Sequence, residues 1–427
     1  MLVNKDMKDN TFRILIVLIW LLLSIGSVVH AQVKHSKTSH FTSYKGLVMA
    51  GYQGWFNAKG DGSDRGWNHY GNIDKAQIRV ELWPEISEYK KTYPTPFKFS
   101  DGKTASLFSS YDESSVQLHF KWMQQYGIDG VFIQRFVSNL KSENGLRHNN
   151  KVFTTALNAA EKNKRAIALM YDFSGMRDGD EDLVIQDFKD LVDKMKMTTR
   201  GAEQSYLYHN GKPLVALWGV GFNDKRKYSL ATVMKVMNFL QHDPIYGGCS
   251  ILLGVPTQWR ESKGDASTDP ALLETYKKAD IIHPWFVGRF NEGGIPKMME
   301  RIKEDIVWCK DNKVDYVPTA YPGFSWHNMK PEAPFDQIPR NRGMFFWKQL
   351  SGAMNNGAQM IYVAMFDEVD EGTAIFKASI HPPVGNAQFV TFEEGIPSDY
   401  YLYLAGYASK MLKKQVPFQS EIPLPKK

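Results

Sequence analysis

One apolar run that ends in a cluster of acids constrains the fold of this chain more than any other feature. Residues 358–366 read Ala-Gln-Met-Ile-Tyr-Val-Ala-Met-Phe, and the next five positions carry four carboxylates, Asp367, Glu368, Asp370 and Glu371. A continuous apolar run predicts a strand that is buried on both faces, as in a parallel sheet covered by helices. In α/β barrels the carboxyl ends of such strands build the active site, so we expect these acids to face a pocket there.

Two of the acids have the spacing and the chemistry that glycosidic bond cleavage requires. Glu368 and Glu371 stand three residues apart on backbone that the strand would hold rigid. Cleavage needs one carboxylic acid that gives a proton to the leaving oxygen and a second carboxylate that assists from the sugar side. Buried carboxylates are costly unless they have a partner or a purpose. The pair therefore predicts a glycoside hydrolase with Glu368 and Glu371 as its catalytic residues.

Strand-like and helix-like patterns alternate along the rest of the chain. Predicted strands cover residues 46–56, 130–136, 165–173, 213–218, 249–256, 280–285, 315–322 and 358–366. Predicted helices cover residues 113–126, 153–162, 181–196, 229–241, 270–277, 295–310 and 342–356, and a helix at 399–413 closes the barrel. An Asn-Gly pair at 210–211 predicts a small hairpin before the fourth strand. Eight such units indicate an α/β fold, a (β/α)8 TIM barrel in one large domain, residues 46–414, with loop insertions.

Composition and charge narrow the class of ligand. The formal charge of +6 comes from 52 basic and 46 acidic residues, and no basic run is interleaved with aromatic residues. Nucleic acid is therefore a poor candidate partner, and we predict none. Neither a G-x-G-x-x-G nor a P-loop pattern follows the first strand, which argues against nucleotide binding. Aromatic residues make up 13% of the chain. This richness is explained equally by core packing and by stacking against sugar rings.

The N-terminus has the pattern of a signal peptide. The apolar run 14–23 follows the basic residues Lys5, Lys8 and Arg13, and small residues at Val29 and Ala31 suit cleavage before Gln32. We therefore predict a signal peptide at 1–31. An uncleaved membrane anchor is the alternative interpretation. We expect export to a periplasm or to the outside of the cell, with no membrane attachment after cleavage. Residues 32–45 are predicted to be a flexible lead-in and residues 415–427 a frayed C-terminal tail.

Cysteine, histidine and acid spacing give no sign of a metal or another cofactor. Two cysteines, Cys249 and Cys309, cannot form a disulfide framework, and we expect two buried free thiols. Asp61 and Asp64 lie in a Gly-rich loop that lacks the oxygen spacing of a calcium site, so turn formation is the better interpretation. His283 lies in an apolar strand without a motif such as H-E-x-x-H. We predict no metal and no cofactor.

The carboxyl ends of the predicted strands provide a test of the barrel, because they should converge on one pocket. The residues that we expect there to bind substrate are polar, aromatic or acidic: Tyr52, Gln53, Trp55, Gln134, Tyr171, Asp172, Trp218, Trp259, His283, Trp285, Tyr321, Trp326 and Asp367. Arg135, Gln258 and Arg260 stand at the same ends. Such a mixture is typical of a carbohydrate cleft. For His283 a hydrogen-bonded core histidine is an equally ordinary interpretation.

The eighth strand resembles the clan of barrel glycosidases that contains glycoside hydrolase families 71 and 99. The family 99 pattern Glu-x-x-Glu-Gly-Thr is matched by residues 368–373, and the likeness covers the order of elements from 46 to about 377, including the Asn-Gly-Lys-Pro hairpin. Family 99 has Asn before the first glutamate and Trp-His between the two, where this chain has Asp367, Val369 and Asp370. The first-strand stretch 51–56, Gly-Tyr-Gln-Gly-Trp-Phe, is similar to an uncharacterised branch whose members carry xylosidase or arabinosidase labels.

The resemblance implies a mechanism that retains configuration at the anomeric carbon. Glu368 would act as the base on the sugar 2-hydroxyl, which gives a 1,2-anhydro intermediate. Glu371 would protonate the leaving group and then activate water. The expected substrate is an α-linked oligosaccharide or polysaccharide.

Other functions stay open at this point. In an inverting hydrolase of the xylosidase or arabinosidase type, one carboxylate would activate water directly. A barrel that binds carbohydrate without turnover is the alternative outside enzymes, because a fold alone does not prove a function. The sugar, the linkage and the choice between endo and exo cleavage are not specified by the sequence. We expect a monomer.

Overall fold

The computed structural model describes residues 33–424, in which parallel strands form a barrel surrounded by helices. The barrel strands are β1 Val48–Tyr52, β2 Gly130–Phe136, β3 Ala166–Asp172, β4 Lys212–Trp218, β5 Ser250–Val255, β6 Ile281–Pro284, β7 in two pieces, Asp315–Tyr316 and Thr319–Ala320, and β8 Ile361–Val363. The helices that follow them are α1 Glu113–Tyr126, α2 Glu143–Asn163, α3 Glu181–Asp193, α4 Leu230–His242, α5 Ala271–Tyr276, α6 Ile295–Asp311, α7 Met344–Asn355 and α8 Tyr400–Leu412. The (β/α)8 prediction is confirmed, and the predicted bounds of β2 and α1 match those observed.

The barrel closes through its broken seventh strand. The first piece of β7 pairs in parallel with β6, the second piece pairs with β8, and β8 pairs with β1. Pro318 lies between the two pieces and has no N–H to donate to a ladder. Its carbonyl still accepts a hydrogen bond from the Tyr362 N–H at 3.1 Å. The prediction of one continuous strand over 315–322 was therefore too simple.

Sequence patterns explain why the layers form. All seven residues of β3 are buried, as expected for a strand with the barrel interior on one face and helices on the other. In α3 the buried Val184, Phe188 and Leu191 recur at helical spacing and cover the barrel wall. Ser229 begins α4 by accepting a hydrogen bond from the Thr232 N–H, which satisfies an otherwise unpaired donor.

Gly51 of β1 leaves the space in the barrel interior that the side chains of Tyr362 and Met365 occupy. A Cβ added at Gly51 would lie 2.2 Å from the Tyr362 hydroxyl oxygen and 2.3 Å from Met365 Cε. We expect Gly51→Ala to lower the free energy of unfolding by about 1–3 kcal/mol, because overpacking a dense core forces its neighbours to move. Urea unfolding would measure the change. Gly293→Ala is the matched control, since its added Cβ would meet its nearest neighbour, Asn291 Oδ1, at 3.5 Å, and an equal loss in both variants would contradict the prediction.

Both ends of the described chain are tied to the barrel. The segment 33–45, which we expected to be a flexible lead-in, is hydrogen-bonded from the N–H groups of Lys34 and His40 to the carbonyls of Ile245 and Gln204. The C-terminal tail is likewise held, since the Trp347 indole N–H donates to the Ser420 carbonyl at 2.9 Å. These contacts join residues distant in sequence, which local composition does not reveal. The predicted signal peptide lies outside the described residues.

A long insertion between β1 and α1 was not predicted. It contains two antiparallel strand pairs, Gly71–Asn72 with Gln77–Ile78 and Tyr93–Lys98 with Thr104–Leu107. It packs against the β8–α8 connection, where the N–H groups of Ser379 and Val390 donate to the carbonyls of Trp83 and Glu81. Together the two segments build one wall above the carboxyl end of the barrel. The predicted hairpin before β4 is present, with Tyr208–His209 paired to the start of β4.

The two cysteines and the character of the helices can also be read from the structure. Cys249 and Cys309 are both buried and unbonded to each other, as predicted. Among residues 33–424, none of the helices combines the length and the apolar character that a membrane crossing needs.

Candidate active site

The four acids after β8 lie in a tight bend that the surrounding loops hold. Asp367, Glu368 and Asp370 are at most 3% exposed, whereas Glu371 is partly exposed at the rim. The buried guanidinium of Arg340 donates through Nη2 to the carbonyls of Gly372 and Ala374, at 2.9 and 2.7 Å. These hydrogen bonds fix the backbone that carries the acids.

The first-strand motif 51–56 supplies the partners of two acids. The backbone N–H groups of Gln53 and Gly54 donate to the two carboxylate oxygens of Asp367, each at 2.8 Å. The Gln53 side chain then donates through Nε2 to Glu368 Oε1 at 2.7 Å. Gly54 has a φ of +57°, a left-handed conformation that a side chain would strain. Asp367 thus orients Gln53, and Gln53 orients Glu368.

Glu368 is held on both oxygens. Its Oε2 accepts a hydrogen bond from the Thr373 hydroxyl at 3.0 Å. Burial raises the pKa of Glu368 well above its ordinary value, and repulsion from Glu371 and Asp370 adds to the rise. The hydrogen bonds from Thr373 and Gln53 oppose it. Glu368 is therefore a rigid carboxyl group with a high affinity for a proton.

Glu371 has the pKa of a group that can donate a proton near neutral pH. Burial, followed by the neighbouring charge of Asp370, raises the pKa of Glu371 to about 7, although the Trp326 indole N–H and the Lys330 ammonium oppose the rise. Burial also raises the pKa of Asp367 to about 7. A general acid works best with a pKa close to the operating pH. Of the two glutamates, Glu371 fits that requirement at the more accessible position.

Aromatic rings surround the acids at the barrel mouth. Trp55 stacks on His69 with ring centroids 3.8 Å apart and planes within 8°. On another side of the mouth Trp218 meets Trp285 edge to face at 5.4 Å. The Lys330 ammonium lies 3.5 Å above the Trp326 ring. All four tryptophans are partly exposed, as rings that stack against a ligand must be.

Polar groups from other strands complete the interior of the site. His283 approaches the Tyr362 ring at 4.3 Å, and its Nδ1 lies 3.3 Å from the Val317 carbonyl. Burial lowers the pKa of His283 to about 4, so the ring is neutral. Gln134 lies on β2 with its Nε2 3.8 Å from Met365 Sδ. Asp172 accepts a hydrogen bond from the Ser174 N–H at 2.7 Å, and burial raises the pKa of this carboxyl to about 6.

Four of the side chains that we expected in the pocket face the helices instead. The Tyr52 hydroxyl bonds His119 Nδ1 at 2.8 Å, and the Tyr171 hydroxyl donates to Asp187 at 2.8 Å. Side chains alternate along a strand, so Gln53 and Asp172 face inward and the residue before each of them faces outward. The expectation for Tyr52 and Tyr171 was therefore wrong.

The other two lie beyond the strand ends. The Trp259 indole N–H donates to the buried Asp305 at 3.3 Å and its ring packs on Trp308. The Tyr321 hydroxyl donates to the Phe290 carbonyl at 2.5 Å. These contacts place both side chains away from the acids, in the layer between strands and helices. Arg135 and Arg260 are in the same layer, paired with Asp187 and Asp305.

Several residues of the site were not predicted from the sequence. They are His69 and Glu81 from the β1–α1 insertion, Ser325, Lys330 and Arg340 from the β7–α7 connection, and Asp370 and Thr373 from the β8 bend. Asp370 and Thr373 lie within residues 368–373, the stretch that resembles family 99, so the sequence could have indicated both. Nothing local in the sequence distinguishes His69 or Glu81 from loop residues, because contacts with residues about 290–300 positions away bring them to the site.

The acids considered as metal ligands have other partners. Asp61 accepts hydrogen bonds from the N–H groups of Ala58 and Ser63, which is turn formation. Between residues 33 and 424, no group of three or more His, Cys, Asp or Glu side chains is arranged to hold a metal ion.

Comparisons with known proteins agree with this architecture. No family model matches the chain. It is 21% identical over 396 residues to a glycoprotein endo-alpha-1,2-mannosidase of Rattus norvegicus, covering 89% of this chain and 78% of that protein. The Mus musculus counterpart is 22% identical over 389 residues, covering 87% and 76%. A solved GH99 endo-alpha-mannosidase of Bacteroides thetaiotaomicron superposes with a TM-score of 0.63 at 15% identity, covering 86% of this chain and 98% of that one.

The barrel, the paired glutamates at its mouth and these relatives define the class: the protein is a glycoside hydrolase. Within that class the chain is similar to family 99 over most of its length, which confirms the predicted family resemblance.

Proposed function

We propose that the protein hydrolyses an O-glycosidic bond in an α-linked oligosaccharide or polysaccharide, with retention of configuration. The observation that carries the proposal is the difference between the two glutamates at the mouth. Glu368 is buried and bound on both oxygens, whereas Glu371 is partly exposed and has a pKa of about 7. One is suited to act as a fixed base and the other as an acid that meets a leaving group.

The two proposed steps are those that the resemblance to family 99 implies, with these roles for the two glutamates. Glu368 takes the proton of the sugar 2-hydroxyl while that oxygen attacks the anomeric carbon, and the bond to the leaving oxygen breaks as Glu371 protonates it. Water then attacks the anomeric carbon of the 1,2-anhydro sugar, giving its proton to Glu371. The 2-oxygen recovers its proton from Glu368. Two inversions at one carbon give overall retention.

Both glutamates have raised pKa values, so the proposed steps require the proton to be on Glu371 and not on Glu368. Repulsion from an ionised Glu371 is one of the causes that raise the pKa of Glu368, after burial. When Glu371 carries the proton, that repulsion is absent and Glu368 ionises more readily. The state with a protonated Glu371 and an ionised Glu368 is the one that starts the reaction.

Unpaired polar atoms support the binding of a polyhydroxylated ligand. Buried side-chain atoms that lack a hydrogen-bond partner within residues 33–424 include Gln53 Oε1, Trp55 Nε1, Trp218 Nε1, His283 Nε2 and Asp370 Oδ1. All five belong to side chains at the barrel mouth. Buried polar atoms are normally paired, and each unpaired one needs an explanation. Sugar hydroxyl oxygens can accept hydrogen bonds from the two indole N–H groups, and sugar hydroxyl groups can donate to Gln53 Oε1 and Asp370 Oδ1.

The substrate class is proposed from the relatives and from the site. The curated relatives are named endo-alpha-1,2-mannosidases, so an α-mannan oligosaccharide is the first substrate to test. Xylan and arabinan oligosaccharides should be tested as well, because residues 51–56 are similar to a branch whose members carry xylosidase or arabinosidase labels. We further propose that Gln134, Asp172, His283, Trp55, Trp218, Trp285 and Trp326 bind the sugar, and that Asp367 acts through Gln53. Export is proposed from the sequence pattern of residues 1–31 alone.

A substrate screen tests the proposal. The chain from Gln32 onward is incubated with α-mannan, α-glucan, xylan and arabinan oligosaccharides, with Glu371→Gln as the control. We expect product from one polysaccharide that is absent with the variant. Calorimetric binding of an oligosaccharide without product over days would instead indicate a carbohydrate-binding barrel.

The stereochemistry gives a second prediction. Proton NMR of the first-formed product is expected to show the same anomeric configuration as the substrate, because the anhydro route inverts twice. The opposite anomer before mutarotation would contradict the anhydro mechanism and would favour direct attack by water.

A further inference from the structure

A third buried acid lies between the two glutamates in the chain and has no role in the steps above. Asp370 is 1% exposed, and its Oδ2 lies 3.0 Å from Nδ1 of His69. Its Oδ1 has no hydrogen-bond partner among the described residues. An acid that is buried with one oxygen unpaired is costly, and the fold could have avoided that cost with an apolar residue.

His69 is fixed in the orientation that serves this acid. Its ring stacks on Trp55 at 3.8 Å, and its backbone has a φ of +64°, which is uncommon for a residue with a side chain. The neighbouring Asn68 side chain donates to the Trp55 carbonyl at 2.9 Å and ties the two segments together. Backbone strain of this kind persists where the surroundings hold it, and it concentrates at functional sites.

Charged and titratable groups face Asp370 and Glu371 from several segments. They are Asp367 and Glu368 from the end of β8, His69, Tyr70 and Glu81 from the β1–α1 insertion, and Lys330 and Arg340 from the β7–α7 connection. The charge of Asp370 acts on several of them at once, since it raises the pKa values of Glu368, Glu371 and Asp367. Lys330 acts on Glu371 in the opposite direction.

We propose that Asp370, oriented by its hydrogen bond with His69, is a positioning residue that retains the proton on Glu371 until the leaving group takes it. This inference rests on the proposed function of Glu371 as the acid. His69 donates from Nδ1 to Asp370 Oδ2 at 3.0 Å, and this hydrogen bond fixes the carboxylate in place. The negative charge, buried next to the glutamates, then favours the neutral form of Glu371.

The variant Asp370→Asn removes the charge and keeps the shape. We expect the alkaline limb of kcat/KM against pH to move about one pH unit toward acid, because Glu371 then loses its proton more easily. At a pH above the limb this shift is about a tenfold loss of kcat/KM relative to the wild type. Glu332→Gln is the matched control, because it removes an exposed acid of the β7–α7 connection, where solvent screens the charge.

Variants of His69 test the pair without touching the acids. His69→Ala leaves Asp370 without the donor that orients it, so the carboxylate is no longer fixed beside Glu371 and the limb is expected to move in the same direction as in Asp370→Asn. His69→Gln offers an amide N–H to Asp370 and is expected to restore the limb toward the wild-type position. A merely structural role would lower kcat evenly at every pH and would show no such rescue.

A readout that needs no substrate separates this inference from the proposed function. The infrared band of the protonated Glu371 carboxyl, identified by its loss in Glu371→Gln, is followed against pH in the wild type and in Asp370→Asn. We expect its midpoint to move toward acid in the variant, whether or not any glycan in the panel is cleaved. An unmoved midpoint in both Asp370→Asn and His69→Ala would overturn the inference. A moved midpoint in a chain that cleaves nothing would leave the charge effect standing and count against the hydrolase proposal alone.

Discussion

Replacing Glu371 with Gln is expected to lower kcat on the natural glycan by about 10²–10⁴-fold, the usual contribution of a positioned general acid. The amide cannot give a proton to the leaving oxygen, and it cannot take one from water in the second step. The side chain lies at the rim and is partly exposed, so the fold should tolerate the change. Steady-state kinetics on the substrate found by the screen, with circular dichroism to check folding, would measure the effect.

An activated substrate sharpens this test. An aryl glycoside with a good leaving group needs no protonation in the first step, so Glu371→Gln should release the aryl alcohol at a rate much closer to that of the wild type. Glu368→Gln should gain no such rescue, because the 2-hydroxyl still needs its base. Full activity of Glu371→Gln on the natural glycan would remove this residue from the mechanism. Equal rescue of both variants would contradict the assignment of Glu371 as the acid and Glu368 as the base.

The same acids are expected to make the folded protein less stable as the pH rises. A carboxyl group whose pKa is higher in the folded than in the unfolded state stabilises the fold below its unfolded pKa, and this contribution is lost as the pH rises through the folded pKa. Asp367, Glu368 and Glu371 all have raised pKa values, with burial as the first cause. The loss should therefore begin above about pH 4 and continue through pH 7, where the pKa values of Asp367 and Glu371 lie.

Glu368→Gln tests this dependence with little change in contacts. The amide oxygen can accept from Gln53, and the amide N–H can donate to the Thr373 hydroxyl, so the geometry of both hydrogen bonds is kept. We expect a gain in the free energy of unfolding on the order of 1–3 kcal/mol at pH 8 and almost none at pH 4. Chemical unfolding at the two pH values would measure it. A gain of the same size at both would mean that charge is not its cause.

The periodic parts of the sequence predicted the barrel well, because each strand and helix is buried by its own local pattern. β3 and β8 are apolar on both faces, and α3 repeats its buried residues at helical spacing. The β1–α1 insertion was missed because Pro94 and Pro96 disguise a strand whose alternation is otherwise regular. The break in β7 lies at Pro318, and the two pieces on either side of it pair with different strands, β6 and β8. Such pairing partners cannot be predicted from the local sequence.

The candidate site was predictable only where a residue stood next to a recognisable strand end. Gln53 and Asp367 come together as expected, whereas Tyr52 and Tyr171 face the helices because the register of a strand, and not the identity of a residue, decides its side. His69 could not be found at all from the sequence. Its partner, Asp370, is 301 positions away, and only the folded insertion brings the two together.

The pairing of β1 with β8 has a consequence for when the protein becomes active. Gln53 and Glu368 are 315 positions apart, and their hydrogen bond crosses the seam where the two ends of the barrel meet. A chain that stops before β8 has most of the barrel wall but neither of the two glutamates proposed to react. A chain in which β1 and β8 are unpaired has Glu368 without its hydrogen bond from Gln53. We therefore expect turnover during refolding to appear only after β1 and β8 have paired, so that its onset reports this long-range closure.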